Sequence, residues 1–259
     1  MIREYLFRGP RGDNCKLRMD LDLEFVCDRK LMEYLEAQVW PEPELINVMN
    51  HVLRPGDIFI DGGANIGFFS ILASFIVGPA GRVEAYEPSS SSFEKLKKNV
   101  ALNNKNIDIL KRALLDDCHS SFIFLHKDDP GQNSLWEESD EKEPILTIGL
   151  DDTSAKHAKL IKLDIEGAEF RTLSGSVETL KCPFIVCELN LEAMERAGVS
   201  QAQLRGFMRD LGYETFLLPA EGMPMLVPPK TAILPRFVSA NIMFSTIEAV
   251  QEVWRVVNI

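Results

Sequence analysis

Met19, Leu21, Leu23 and Phe25 alternate with Asp20, Asp22 and Glu24. That period of two predicts a half-buried strand over 19–26. Pro41 and Pro43 punctuate the chain, and a helix is predicted from Glu44 to about Leu53. Arg54-Pro55-Gly56-Asp57 then turns the chain into a short apolar run, Ile58 to Ile60, the first core strand. From Ile66 to Ile76 the sequence is apolar nearly all round, which predicts a helix buried on most sides, ended by Gly78, Pro79 and Gly81. Arg82 to Tyr86 is the second strand. Ser89 to Leu102 is an amphipathic helix with Phe93, Leu96 and Val100 inward. Ile107 to Leu110 is the third strand, and 121–125 an additional one before a polar loop over 127–134. Leu160 to Asp164 and Phe184 to Leu189 are the fourth and fifth strands, with a helix over 168–180 between them. A helix over 201–211 precedes the last two strands, 214–218 and 241–245. A proline-rich excursion, Pro219 to Pro235, joins those two without a clear helix, which favours an antiparallel closing pair.

This alternation predicts an α/β fold: a Rossmann-like, mostly parallel sheet with an antiparallel C-terminal strand and helices on both faces. The first 40 or so residues do not share the rhythm. The chain divides into an N-terminal β/α extension, 1–42, a candidate substrate lid, and a main domain, 43–259.

Composition narrows the function classes. Of 259 residues 46% are hydrophobic, enough for a sizeable core. A net charge of −11 argues against a nucleic-acid partner, which wants a basic face. Lys95, Lys97 and Lys98 read as a solvated helix face. The five cysteines include no C-x-x-C pair, as expected of reduced thiols in a cytoplasmic protein. The charged N-terminus predicts no signal peptide, and no apolar run approaches a membrane span.

Asp61-Gly62-Gly63-Ala64-Asn65-Ile66-Gly67 stands between strand and helix, where glycines admit a ligand and the helix N-terminus offers free N–H groups. The spacing Asp-x-Gly-x-Asn-x-Gly is neither Gly-x-Gly-x-x-Gly nor a Walker loop. It suits S-adenosylmethionine (SAM), which has no phosphate and carries a positive sulfonium and an ammonium. Glu87 after the second strand could hold ribose hydroxyls, but a nicotinamide dinucleotide site uses an acidic residue in the same place. Asp164, Glu166 and Glu169 form a carboxylate cluster at the mouth of the fourth strand. Such carboxylates could stabilise a cation, deprotonate a hydroxyl or bind a divalent metal.

Together, Asp61 to Gly67, Glu87-Pro88 and the block Leu163-Asp164-Ile165-Glu166-Gly167-Ala168-Glu169 resemble the FkbM family of SAM-dependent methyltransferases. Leu96-x-x-Asn99-Val100-x-Leu102-Asn103, Leu150-Asp151-Asp152 and Glu188 fit the same pattern. The resemblance covers roughly 55–190. Gly62 departs from the valine or other small apolar residue more common there in that family.

The resemblance implies methyl transfer, usually to oxygen, on small molecules or glycans, with N-methylation of a peptide or amide as the alternative and a nicotinamide-type oxidoreductase or a SAM-binding scaffold as rivals. It implies that Asp61, Gly62, Gly63, Ala64, Asn65 and Gly67 hold the methionine end of SAM and that Glu87 and Pro88 border the ribose. Arg112 and Ala113 would border the adenine. Asp164, Glu166 and Glu188 would form the active site, Asp164 touching cofactor as well. No metal is expected. A small-molecule, sugar or peptide acceptor would be walled by residues 1–40, the 127–136 loop and the 219–235 excursion. His119 and His126 read as loop histidines.

Overall fold

The computed structural model describes residues 1–8, 14–22, 26–37, 39–126, 130–136, 141–234 and 239–254. Its centre is an eight-stranded sheet. In spatial order the strands are Met225–Leu226, Glu214–Leu217, Ser239–Ser245, Phe184–Asn190, Leu160–Leu163, Ile58–Gly62, Arg82–Tyr86 and Asp108–Leu110. From Asp108–Leu110 to Phe184–Asn190 every pairing is parallel. Beyond it, Ser239–Ser245 pairs antiparallel with both Phe184–Asn190 and Glu214–Leu217, as the helix-free excursion predicts. The first strand is central, so its end opens where the strand order reverses, the position at which such sheets bind ligands.

Several elements depart from expectation for identifiable reasons. The helix predicted from Ile66 begins at Phe68, because Asn65 and Gly67 are left-handed at φ 48° and 92°. The helix predicted over 168–180 spans only Glu169–Ser174. It ends against Gly175, where a Cβ would stand 2.5 Å from the Asp116 Cα, so only glycine fits beside that backbone.

The alternation read over 19–26 belongs to a strand lying earlier, Asn14–Asp20, and Val26–Glu36 is a helix; 23–25 fall outside the described residues. Asn14–Asp20 pairs antiparallel with Ile2–Arg8, which sequence pattern missed. Ile2 and Leu6 face solvent, so that strand has no clean apolar face. A further three-stranded sheet, Ala113–Leu115, Lys142–Gly149 and Ser120–Phe124, was foreseen only at its last strand.

Cys15, Leu17, Met19 and Leu21 are buried in one core with Leu45, Val48, Ile71, Leu72, Leu96 and Val100. The N-terminal segment is therefore packed on the helices Phe68–Val77 and Ser90–Leu102. Asn99 fastens it: its Oδ1 accepts the Asp20 N–H at 2.6 Å, while its Nδ2 donates to the Ile66 carbonyl at 2.8 Å.

Candidate functional site

The site is built where the first, second and fourth core strands end. After Gly62 the backbone turns through Gly63, at φ 73°. A Cβ there would stand 1.8 Å from the Asp164 carbonyl oxygen, so only glycine lets the turn press against the fourth strand. The N–H groups of Gly63 and Ala64 both donate to the Tyr86 carbonyl at 3.0 Å.

Glu87 follows directly. Its Oε2 accepts the Asn65 N–H and its Oε1 the Ser89 N–H, each at 2.9 Å. A carboxylate oxygen accepts two hydrogen bonds, so each keeps capacity for a ligand hydroxyl. Burial pushes Glu87 up to about 7 against those two N–H groups.

A cleft in two parts opens here. One part is lined by Glu87, Pro88, Ala113 and Leu114, with Pro130 and Asn133 as its outer edge. The other lies under the N-terminal segment, between Tyr34, Glu42, Phe68, Phe69, Lys162 and Glu188. Gly63, Asn65, Gly131, Asp164 and Glu166 line both.

Most residues expected at the site converge there. Gly63, Asn65, Glu87, Pro88, Ala113 and Asp164 line the first part and Ala64 the second. Gly62 and Gly67 shape the turn from behind, where Cβ atoms would meet Leu114 and Leu96. Asp164, Glu166 and Glu188 bring carboxylate oxygens within 4.8 Å of one another. Burial, then the charges of Asp164 and Glu166, raise Glu188 well above the carboxylate range.

Others lie elsewhere. Arg112 is not in the lining; its N–H donates to the Leu110 carbonyl. Asp61 is wholly buried beneath the cleft. Its Oδ2 accepts from Ser70 Oγ at 2.5 Å and its Oδ1 lies 3.5 Å from Lys162 Nζ. The excursion after Pro219 packs on the helix Gln201–Asp210, held by Arg205, whose guanidinium donates to the Thr231 and Pro228 carbonyls. Neither part of the cleft touches it among the described residues. His119 faces Asp117 and Thr147, away from both.

Lys162 and Glu42 were missed, and Glu169, expected in the carboxylate cluster, braces a turn instead. Lys162 is 2% exposed and sets Nζ 3.5 Å from Asp61, 3.3 Å from Asp164 and 3.4 Å from the Gly63 carbonyl. Burial alone would lower its pKa; Asp164, Asp61 and Glu42 reverse that and raise it. A lysine inside an apolar strand is the signal that could have found it. Glu169 turns back so that Oε1 accepts the Ile165 N–H at 3.0 Å, which braces the turn carrying Glu166 at φ 50° and Gly167 at φ 97°. Burial pushes Glu169 up to about 7. Glu42, far away in sequence, is the other missed residue.

The residues fit the cofactor expected from the sequence. Gly63 leaves room no side chain could share, Glu87 keeps unused acceptor capacity, and Asn65 Oδ1 is buried without a hydrogen-bond partner among the described residues. This fold and site define a Rossmann-like SAM-dependent methyltransferase. The match to the Methyltransferase FkbM domain spans residues 61–215, and the chain belongs to that family. Its cofactor is SAM, and membership sets aside the nicotinamide oxidoreductase that Glu87 alone left open.

The chain is 25% identical over 209 residues to "Methyltransferase sdnD" of Sordaria araneosa, covering 66% of this chain and 79% of that one. Among solved structures it resembles the precorrin-6y C5,15-methyltransferase of Geobacter metallireducens (TM-score 0.47, 15% identity, 87% of this chain and 95% of that one). It also resembles a SAM-dependent O-methyltransferase of Thermotoga maritima (TM-score 0.45, 11% identity, 93% and 77%). Among the described residues no helix is long and apolar enough to cross a membrane.

Proposed function

We propose that this methyltransferase O-methylates a neutral or cationic small molecule or sugar. The observation that carries the proposal is the two-part cleft, whose parts meet at Gly63, Asn65, Asp164 and Glu166. The part beside Glu87 suits SAM: Glu87 would accept from the ribose hydroxyls and Pro88 and Ala113 would pack beside the nucleoside. Asn65 Oδ1 is an acceptor for the ammonium. Asp61 would act from below, through Lys162 and the shape of the turn.

The part beside Tyr34 and Glu42 would take the acceptor. Its walls carry Glu42, Asp164, Glu166 and Glu188, groups that accept hydrogen bonds from hydroxyls and disfavour anionic acceptors. Bound SAM supplies a methyl group already activated by sulfonium. What remains for this chain is to align a nucleophile and keep water away. Phe68, Phe69 and Tyr34 provide an apolar surround, and Asp164, Glu166 and Glu188 would orient the acceptor. No metal is invoked. The division at residue 42 is kept in this sense: the preceding segment is a wall of the acceptor part.

The test is incubation with SAM and a panel of methyl glycosides of neutral hexoses together with the corresponding 2-amino sugars, products being located by mass and NMR. Methyl ethers are expected. Methyl groups found only on nitrogen would replace this proposal with N-methylation.

A further inference from the structure

Three non-glycine residues beside the cleft hold left-handed backbone: Asn65 and Glu166, already described, and Glu42 at φ 45°. Such a conformation is disfavoured for residues with a Cβ, and it clusters where function demands a fixed side-chain direction. Glu42 needs an account of its own. It precedes the helix Pro43–Val52 yet makes no side-chain cap to it, so helix capping does not explain its conformation. Glu42 lines the acceptor part of the cleft.

Asn241, on the strand Ser239–Ser245, holds it there. Asn241 Nδ2 donates to Glu42 Oε2 at 2.9 Å and to Glu44 Oε1 at 3.1 Å. The charged groups facing Glu42 are Asp164 and Lys162 from the fourth core strand and Glu44 from its own helix. Glu188 shares the same wall.

We propose that Glu42 is the general base for the acceptor hydroxyl. This rests on the O-methylation proposed above. The other carboxylates suit the task less well. Asp164 is engaged by Lys162 at 3.3 Å, and Asp164 and Glu166 also line the cofactor part of the cleft, whereas Glu42 lines the acceptor part alone. Glu188 shares a hydrogen bond with Asp164, and burial and the charges of Asp164 and Glu166 raise its pKa. Glu42 is pushed up to about 7 by burial and by the Asp164 charge, against Lys162 and Asn241. A base works best with a pKa near the working pH.

The step balances. Glu42 takes the hydroxyl proton as the oxygen–methyl bond forms and the sulfur–methyl bond breaks. That bond's electron pair stays on sulfur. The products are the methyl ether, neutral S-adenosylhomocysteine and the Glu42 carboxylic acid, which returns its proton to solvent.

Glu42→Gln tests this while keeping an acceptor for Asn241. The first readout needs no turnover. In protein carrying 13C-labelled glutamate carboxyls and bound S-adenosylhomocysteine, the resonance that Glu42→Gln removes should titrate near 7. A midpoint in the ordinary carboxylate range would overturn the proposal. The second readout is methylation of whichever acceptor the panel identifies. Glu42→Gln should lower kcat about 100-fold or more, abolish the acid limb of the pH–rate profile, and leave S-adenosylhomocysteine affinity within about twofold. Glu42→Asp should recover part of the rate and restore the limb. A hydroxyl acceptor methylated by Glu42→Gln at full rate overturns the base but spares O-methylation; methylation confined to amines overturns both. Should Glu42→Gln not fold, Glu42→Asp still decides, since an unchanged rate and limb on retracting the carboxylate by one methylene would exclude the role.

Discussion

Glu87 has two jobs in one side chain. It joins the Asn65 turn to the Ser89 N–H, and it presents oxygens to the cleft. Replacing it with alanine should weaken S-adenosylhomocysteine binding by about 1.5–3 kcal/mol, the range for hydrogen bonds to a charged group. Calorimetry measures this, and an unchanged Kd would remove Glu87 from the site. Lys162 poses the opposite case, a buried cation that leaves carboxylates behind when it goes. Lys162→Met should destabilise the protein by about 3–5 kcal/mol in urea unfolding, because Asp61 and Asp164 lose their partner. A loss under about 1 kcal/mol would mean that this ion pair matters little.

The same residues set a pH dependence. Glu42, Glu87 and Glu169 each have a folded pKa near 7 against an ordinary 4.5. A raised folded pKa means that the native state holds the proton more tightly. The stability from this source is fully present below about 4.5 and is lost as pH rises through 7. Without ligand, Tm should therefore fall between pH 5 and 8 at constant ionic strength, and Glu87→Gln should flatten the fall. A Tm rising across that window would contradict the assignment.

At the scale of elements, the site depends on turns that the backbone could not make with other residues. Gly63→Ala would place a Cβ into the Asp164 carbonyl at φ 73°. The first strand would then have to separate from the fourth. Loss of S-adenosylhomocysteine binding with a lowered unfolding midpoint is expected. Retained affinity would show that the turn tolerates displacement. Much of this was legible in sequence, because Asp61 to Gly67 and Asp164 to Glu169 are local signals whose spacing fixes the turns. The roles of Lys162 and Glu42 were not. Lys162 acts across to the first strand, and Glu42 reaches the cleft only because the helix Pro43–Val52 packs beside the last strand.

Across the whole molecule, the N-terminal segment couples stability to the acceptor part of the cleft. Tyr34 lines that part, while Cys15, Leu17 and Met19 lie in the main core. Deleting residues 1–40 would expose the helices beneath, so the loss is expected in folding as well as turnover. Tyr34→Ala separates the two effects. It should raise the acceptor KM severalfold while leaving the Kd for S-adenosylhomocysteine unchanged. Equal effects on both would place Tyr34 outside the acceptor wall.

By itself the sequence determined the strand–helix alternation, the cofactor turn, the Glu87 position and the carboxylate block. Each depends on residues within a few turns of one another, where periodicity and backbone sterics act directly. The antiparallel closing strands were also readable, from a connection too poor in helix to cross over. Only the tertiary structure decided that Asp61 faces Lys162 beneath the cleft, that Arg112 and the proline-rich excursion stand apart, and that Glu42 faces Asp164. Those outcomes depend on pairing and packing between segments up to 199 residues apart, as Glu42 and Asn241 are, and no local pattern encodes such distances.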